Sequence, residues 1–344
     1  MRSILKANPS AREARRPRKL NGRMTVMFLT ALYGATLARA QSHPTMSEVR
    51  TLVDGRTNFD ETRGSLEKIL AAEPQNAEAH FLLAKVDYAM ADLDNAEKHV
   101  EQAVSLSPNS SSHLLFGRIL SAQIQKVSLF RKAGLVGKAK AQFEAAVASD
   151  PKSIPARLGL MDFYSGAPGI MGGSWDKATA QAQEIAKLDV SEGHYALGDL
   201  DLDKKNYAEA EREYKEAIAA DVHQGKSYLK LGLLYLEQGR DQDADGLFQK
   251  SLALDPHSLP ATFYLGRYRL LHSQELEKAE NCFKAYVARW PEDGDPTLAN
   301  GYWRLGQVYE KEGKKDLAAA QWERSLKLDP QFKEAADSLK HMRR

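Results

Sequence analysis

GKSYLKLGLLYLEQGRDQDADGLFQKSLALDPHS, residues Gly225 to Ser258, reads as two amphipathic helices joined by a tight turn. Tyr228, Leu231, Gly232 and Tyr235 share one face of the first helix. Gly239 ends that helix, because glycine enters the left-handed cap conformation without steric cost. Ala244, Phe248 and Ser251 share one face of the second, and Asp255-Pro256 stops it. The same places recur elsewhere. From Ala299 to Phe332 they hold Tyr302, Leu305, Gly306, Tyr309, Gly313, Ala318, Trp322, Ser325 and Pro330. From Ser191 to Gln224 they hold His194, Leu197, Gly198, Asp201, Ala210, Tyr214, Ala217 and Val222.

This 34-residue pattern, aromatic-x2-Leu-Gly-x2-Tyr followed by Ala-x3-aromatic and Pro, resembles the tetratricopeptide repeat. Gly232 and Ala244 are small because the two helices of a pair cross closely there. Tyr235 and Phe248 are expected to fill the gap between one pair and the next. One pair cannot bury its apolar face alone, so neighbours must stack. The resemblance covers most of the chain after residue 76. It implies an all-α, right-handed solenoid of about eight helix pairs.

Working outward, residues 259–293 make a repeat with Leu265, Gly266, Ala279, Phe283 and Pro291. Residues 77–110 make another, with His80, Leu83, Ala84, Asp87, Ala96, Val100, Ala103 and Pro108. Residues 111–152 form a stretched copy whose extra residues are expected to lengthen its first helix through Ile124 and Leu129. Residues 153–190 form a copy interrupted by SGAPGIMGGSWD. Asp150 to Ala156 recurs as Asp255 to Ala261, which suggests duplication of a longer block. Residues 41–76 are a weak first pair, residues 77–332 the solenoid, and residues 333–344 a polar capping helix.

Residues 1–40 read as a secretory signal. They hold nine basic residues and Glu13 as the one acidic residue, a net +8. The whole chain carries +2, so the remainder carries −6. The apolar run Met24 to Ala38 is shorter than the ~20 residues that span a bilayer. Ala38-Arg39-Ala40 offers small residues for cleavage before Gln41, and an uncleaved anchor is the alternative. Translation from Met24 is also compatible with the sequence. The mildly acidic body argues against general nucleic-acid binding, which needs a basic face. Cys282 is the only cysteine, so no intrachain disulfide forms.

Asp241, Asp243, Asp245 and Gly246 match the start of a calcium loop, but Leu252 stands where the loop needs a bidentate Glu. His80, His113 and His194 share the fourth place of their repeats and read as packing residues. No nucleophile, phosphate-loop or metal-ligand spacing stands out. No catalytic residue, metal or cofactor is expected.

The resemblance places the binding surface on the inner wall, lined by the second, fifth and ninth residues of each first helix. Here these include Phe81, Lys85, Tyr195, Asp199, Lys226, Leu229, Phe263, Arg267, Asn300 and Trp303. An apolar ladder flanked by charges suits an extended or helical peptide. The same rings could instead pack within and between pairs. The Lys and Asn pairing used by chaperone-tail binders of the family is missing. The loop with Pro168, Gly169, Ile170, Met171 and Trp175 either plugs a gap or contacts a partner. The expected function is a non-catalytic scaffold holding a protein or peptide segment in the periplasm or cell envelope. The alternatives are a structural subunit of an envelope export, polysaccharide or transport assembly, and an enzyme with a hidden site.

Overall fold

The computed structural model describes residues 44–127, 129–272, 275–291 and 295–342. The expected leader, its cleavage site and the alternative start at Met24 lie outside these residues. The described residues are all-α, with eight helix pairs and one closing helix. The pairs are α1 (Met46–Gly55) with α2 (Phe59–Ala72), α3 (Ala77–Ala89) with α4 (Leu93–Leu106), and α5 (Ser110–Lys126) with α6 (Leu129–Ser149). Then come α7 (Ile154–Gly166) with α8 (Trp175–Leu188), α9 (Val190–Asp203) with α10 (Tyr207–Ala220), and α11 (Gly225–Glu237) with α12 (Asp241–Leu254). The last are α13 (Leu259–His272) with α14 (Leu276–Val287), α15 (Leu298–Lys311) with α16 (Lys315–Leu328), and α17 (Lys333–Met342). The aspartates of the calcium-like segment lie on helix α12.

Each repeated glycine sits under the aromatic ring of its own pair. A methyl group placed on Gly232 would lie 2.7 Å from the Phe248 ring, and one on Gly198 would lie 2.6 Å from Tyr214. Gly306 and Trp322 meet in the same way. This corrects the expected role of Phe248. It fills its own pair first, then stacks on Tyr264 of the next pair with ring centroids 6.4 Å apart. Tyr235 does bridge pairs: its hydroxyl donates to Glu211 of the preceding pair at 2.9 Å. Tyr309 repeats the bond to Glu280 at 3.1 Å.

The inserted residues of the third pair lengthen both helices, to 17 and 21 residues. Leu129 therefore begins α6 rather than extending α5, because Val127 is already extended backbone. The duplicated segments cap their helices alike, Ser153 Oγ and Ser258 Oγ each accepting from a backbone N–H at 3.3 Å.

Successive first helices touch one another: α1 with α3, α3 with α5, α5 with α7, α7 with α9, α11 with α13, and α13 with α15. Among the described residues, successive second helices do not come as close. The solenoid therefore curves toward its first helices, which form the inner wall.

The curvature brings the seventh pair back onto the first. Trp290, just after α14, is 4% exposed and packs with Val49, Val53, Leu66 and Leu83 of the first two pairs. Its main-chain N–H donates to the Arg56 carbonyl at 2.9 Å. Arg289 Nε donates to the Gly55 carbonyl at 3.2 Å. The Arg56 guanidinium stands 3.8 Å from the Asp295 carboxylate. The carbonyl end of α1, which its own helix leaves unpaired, thus receives donors from the far end of the chain.

Candidate functional site

The inner wall is built from the faces of the odd-numbered helices. Tyr195 is half-buried, with the Lys226 ammonium 4.4 Å and the Lys230 ammonium 5.7 Å from its ring centroid. Lys226 pairs with Glu192 on α9, the first helix of the preceding pair. Asp199 accepts from the Tyr214 hydroxyl at 2.6 Å and pairs with Lys230 at 3.0 Å. Burial opposes the Lys230 charge, yet Asp199 outweighs it and raises the ammonium above its ordinary range. These side chains tie pair to pair while leaving part of their surface open.

Asp162 continues the row on α7. Its side chain is exposed within the curve, with no ion-pair partner among the described residues. The surrounding wall strips its hydration, and Asp199 and Asp203 add like charge, which pushes its carboxyl up to about 7. Lys230 and Arg118 pull the other way without cancelling this. Lys85 and Arg118 follow toward the first pair. There Val53, Tyr88, Leu115 and Trp290 also line a cavity of about 170 Å³ beside the closure.

Two expected wall residues are corrected. Phe263 is 3% exposed, held edge-on by Phe283 at 5.6 Å and packed on Tyr286 at 5.1 Å. Leu229 is 7% exposed in the core between the sixth and neighbouring pairs. Both fill gaps between helices and offer a ligand little area. Phe81, Lys85, Tyr195, Asp199, Lys226, Arg267, Asn300 and Trp303 remain partly accessible. Trp303 is also tethered, its indole N–H donating to Ser338 of α17 at 3.2 Å. The structure thus brings Tyr195, Asp199 and Lys226 together and leaves Phe81 and Lys85 at the far end of the row.

Sequence reasoning missed Asp162, Lys230, Arg304 and Trp290. A signal for Trp290 existed: it precedes Pro291 where four other repeats have Asp or Ser before their proline.

The inserted loop folds back onto its own pair and leaves Ile170 and Trp175 at the surface. Gly173 N donates to the Pro168 carbonyl at 3.1 Å, and Ser174 N to the Tyr164 carbonyl at 2.8 Å, so the backbone folds onto α7. Met171 packs against the core. Gly169 opens a single 3-10 turn that throws Ile170 outward, 95% exposed. Trp175 is 40% exposed, with the Lys204 ammonium 4.9 Å from its ring centroid.

The histidines are engaged inside their own repeats. His113 meets Gln142 at 2.7 Å, His194 meets Glu213 at 2.7 Å, and His80 meets His99 at 3.0 Å. Cys282 is buried, which raises its thiol, and Arg269 donates to its sulfur at 3.3 Å. Among the described residues, no helix is long and apolar enough to cross a membrane.

Three models described as tetratricopeptide repeat match residues 56–115, 195–258 and 299–332. Superkiller complex protein 3 of Mus musculus is 28% identical over 119 residues, covering 33% of this chain and 8% of that protein. Protein O-mannosyl-transferase Tmtc3 of Drosophila melanogaster is 26% identical over 137 residues, covering 40% of this chain and 14% of that protein. The chain thus spans only a small part of these relatives' length. Among solved structures, YrrB, described as a tetratricopeptide protein with an unusual peptide-binding site, is 19% identical. It covers 58% of this chain and 97% of its own, with a TM-score of 0.39. PilF of Pseudomonas aeruginosa is also 19% identical, covering 65% and 97%, with a TM-score of 0.44. These overlays are too loose to bring any property of those proteins to this chain.

Proposed function

Because the chain is a tetratricopeptide-repeat protein, we propose that its inner wall holds a protein or peptide segment and that it performs no chemistry of its own. The carrying observation is the row of accessible charges and rings on the first helices α3, α5, α7, α9, α11 and α15: Lys85, Arg118, Asp162, Asp199, Lys226 and Trp303. Rings supply contact area, and charges of both signs along the row set the register of an extended segment. Photocrosslinkers placed at Lys226 and Trp303, with Glu216 on α10 as the outer-surface control, test this. Adducts from both wall positions and none from position 216 are expected. Equal capture at all three positions would remove the wall as the binding surface.

The protein is exported in this reading, supported by the basic segment, the apolar run and Ala38-Arg39-Ala40. Amino-terminal sequencing of protein from the envelope fraction should begin at Gln41. An intact leader on membrane-bound protein would mean an anchor instead. A second reading, a structural subunit of an envelope assembly, is favoured by the outward Ile170. It expects Ile170→Asp to release the protein from a co-purifying complex with folding intact, and a complex that survives unchanged would count against it.

A further inference from the structure

One register position on the inner wall carries opposite chemistry in two places. The residue after the repeat glycine of one pair faces the residue two before the repeat glycine of the next. After Gly198 and before Gly232 these are Asp199 and Lys230, paired at 3.0 Å. After Gly232 and before Gly266 they are Leu233 and Tyr264. After Gly266 and before Gly306 they are Arg267 and Arg304, two guanidiniums on the touching helices α13 and α15. We propose that Arg267 and Arg304, with the Tyr264 hydroxyl, form a seat for an anionic oxygen group, a carboxylate or a phosphate, carried by the bound segment. The inference rests on the segment-holding reading above and names the chemistry of what is held.

The local bonding supports it. The Nε–H groups of Arg267 and Arg304 are both shielded from solvent and meet no acceptor among the described residues. A buried donor left unpaired is unfavourable, and a bound acceptor relieves it. Arg267 makes no ion pair among the described residues. Arg304 spends one N–H on Gln307 Oε1 at 3.0 Å and lies 4.2 Å from the Trp303 ring centroid, which holds its plane. Burial, then the Arg267 charge, lowers its guanidinium to about 10, so it remains charged at neutral pH. Glu334 on α17 offsets this through space only, and Asp295 is turned to Arg56. Among the described residues the Tyr264 hydroxyl makes no hydrogen bond, while its ring is fixed between Phe248 and Phe263. Two guanidinium forks and a hydroxyl, with no anion paired to them among the described residues, suit an oxygen anion that accepts several hydrogen bonds at once.

The test uses the full-length mature chain, its Arg267→Gln/Arg304→Gln double variant and the single Arg304→Gln variant, each checked for helicity. Inorganic phosphate is titrated against chloride at matched ionic strength while thermal unfolding is followed. The wild type should gain a saturable, phosphate-specific rise in Tm, as a ligand of the native state gives, and the variants should lose it. In a second arm, a labelled Glu-containing peptide, its phosphoserine form and its Gln counterpart are compared. The wild type should prefer an anionic peptide by roughly tenfold, the double variant by nothing. The better of the two anionic peptides identifies the source of the group. Equal phosphate shifts in wild type and variants would overturn the seat. So would anionic peptides bound equally by both, although the scaffold reading would then stand. A phosphate shift without binding of any peptide keeps the seat and counts against the scaffold.

Discussion

The main-chain N–H of Trp290 donates to the carbonyl of Arg56 at 2.9 Å, and the neighbouring Arg289 Nε reaches Gly55, 234 residues away, at 3.2 Å. A solenoid ordinarily makes contacts only between neighbouring repeats. Here the seventh pair also finishes the core of the first, so the two ends of the curve stabilise each other.

Trp290→Ala should therefore act at a distance. Emptying the indole site is expected to cost about 3–5 kcal/mol in urea unfolding. It should also widen the curve, which X-ray scattering reads as a larger radius of gyration. Trp290→Phe should cost less, because the indole N–H has no acceptor among the described residues to lose. An unchanged radius in a folded Trp290→Ala variant would show that the closure does not hold the curve.

The crossing glycines give a paired test. Gly232→Leu should overpack the contact with Phe248 and cost roughly 1–3 kcal/mol. Gly246, within α12, has nothing within 4 Å of an added methyl group. Gly246→Ala should therefore stabilise by about 0.5–1 kcal/mol through helix propensity alone. Opposite shifts in Tm are expected, and equal shifts would refute the assigned register.

Two repeats turn without glycine. Ala91 and Lys205 adopt φ of 60° and 61°, where Gly239 and Gly313 adopt 71° and 76°. A left-handed residue with a Cβ costs roughly 1–2 kcal/mol. Lys205→Gly should recover up to about 1 kcal/mol, measured by urea unfolding; no gain would mean that the turn carries no strain.

Asp87 makes stability depend on pH. Its side chain is fully buried, with Arg63 Nε at 3.3 Å. Burial raises its carboxyl from 3.8 to about 7 despite that guanidinium. The folded state therefore binds this proton more tightly than the unfolded state does. Its contribution is fully present below pH about 4 and is lost as pH rises through about 7. His99, lowered to about 4 by burial, works in the opposite direction between about 4 and 6.5. The difference between wild type and Asp87→Asn isolates the first effect. From pH 5 to pH 8 the wild type should lose stability relative to the variant, and parallel pH profiles would exclude it.

The amino-acid order alone determined the repeat. Glycine, alanine and aromatic residues at fixed places dictate where two helices can cross and what fills the crossing, and such contacts are local in sequence. The helix pairs, the turns at Gly239 and Gly313 and the polar end at α17 were therefore legible. The accessibility of the wall was only partly so. Phe263 and Tyr195 occupy the same repeat place, but the rings of Phe283 and Tyr286 bury the first, whereas lysines leave the second half-open. The Asp199–Lys230 bond and the unpaired Arg267 and Arg304 depend on which pairs meet after stacking. Small rotations per repeat, summed over seven pairs, decide whether Trp290 reaches Arg56. No local pattern encodes that sum, so only the tertiary structure fixed the closure.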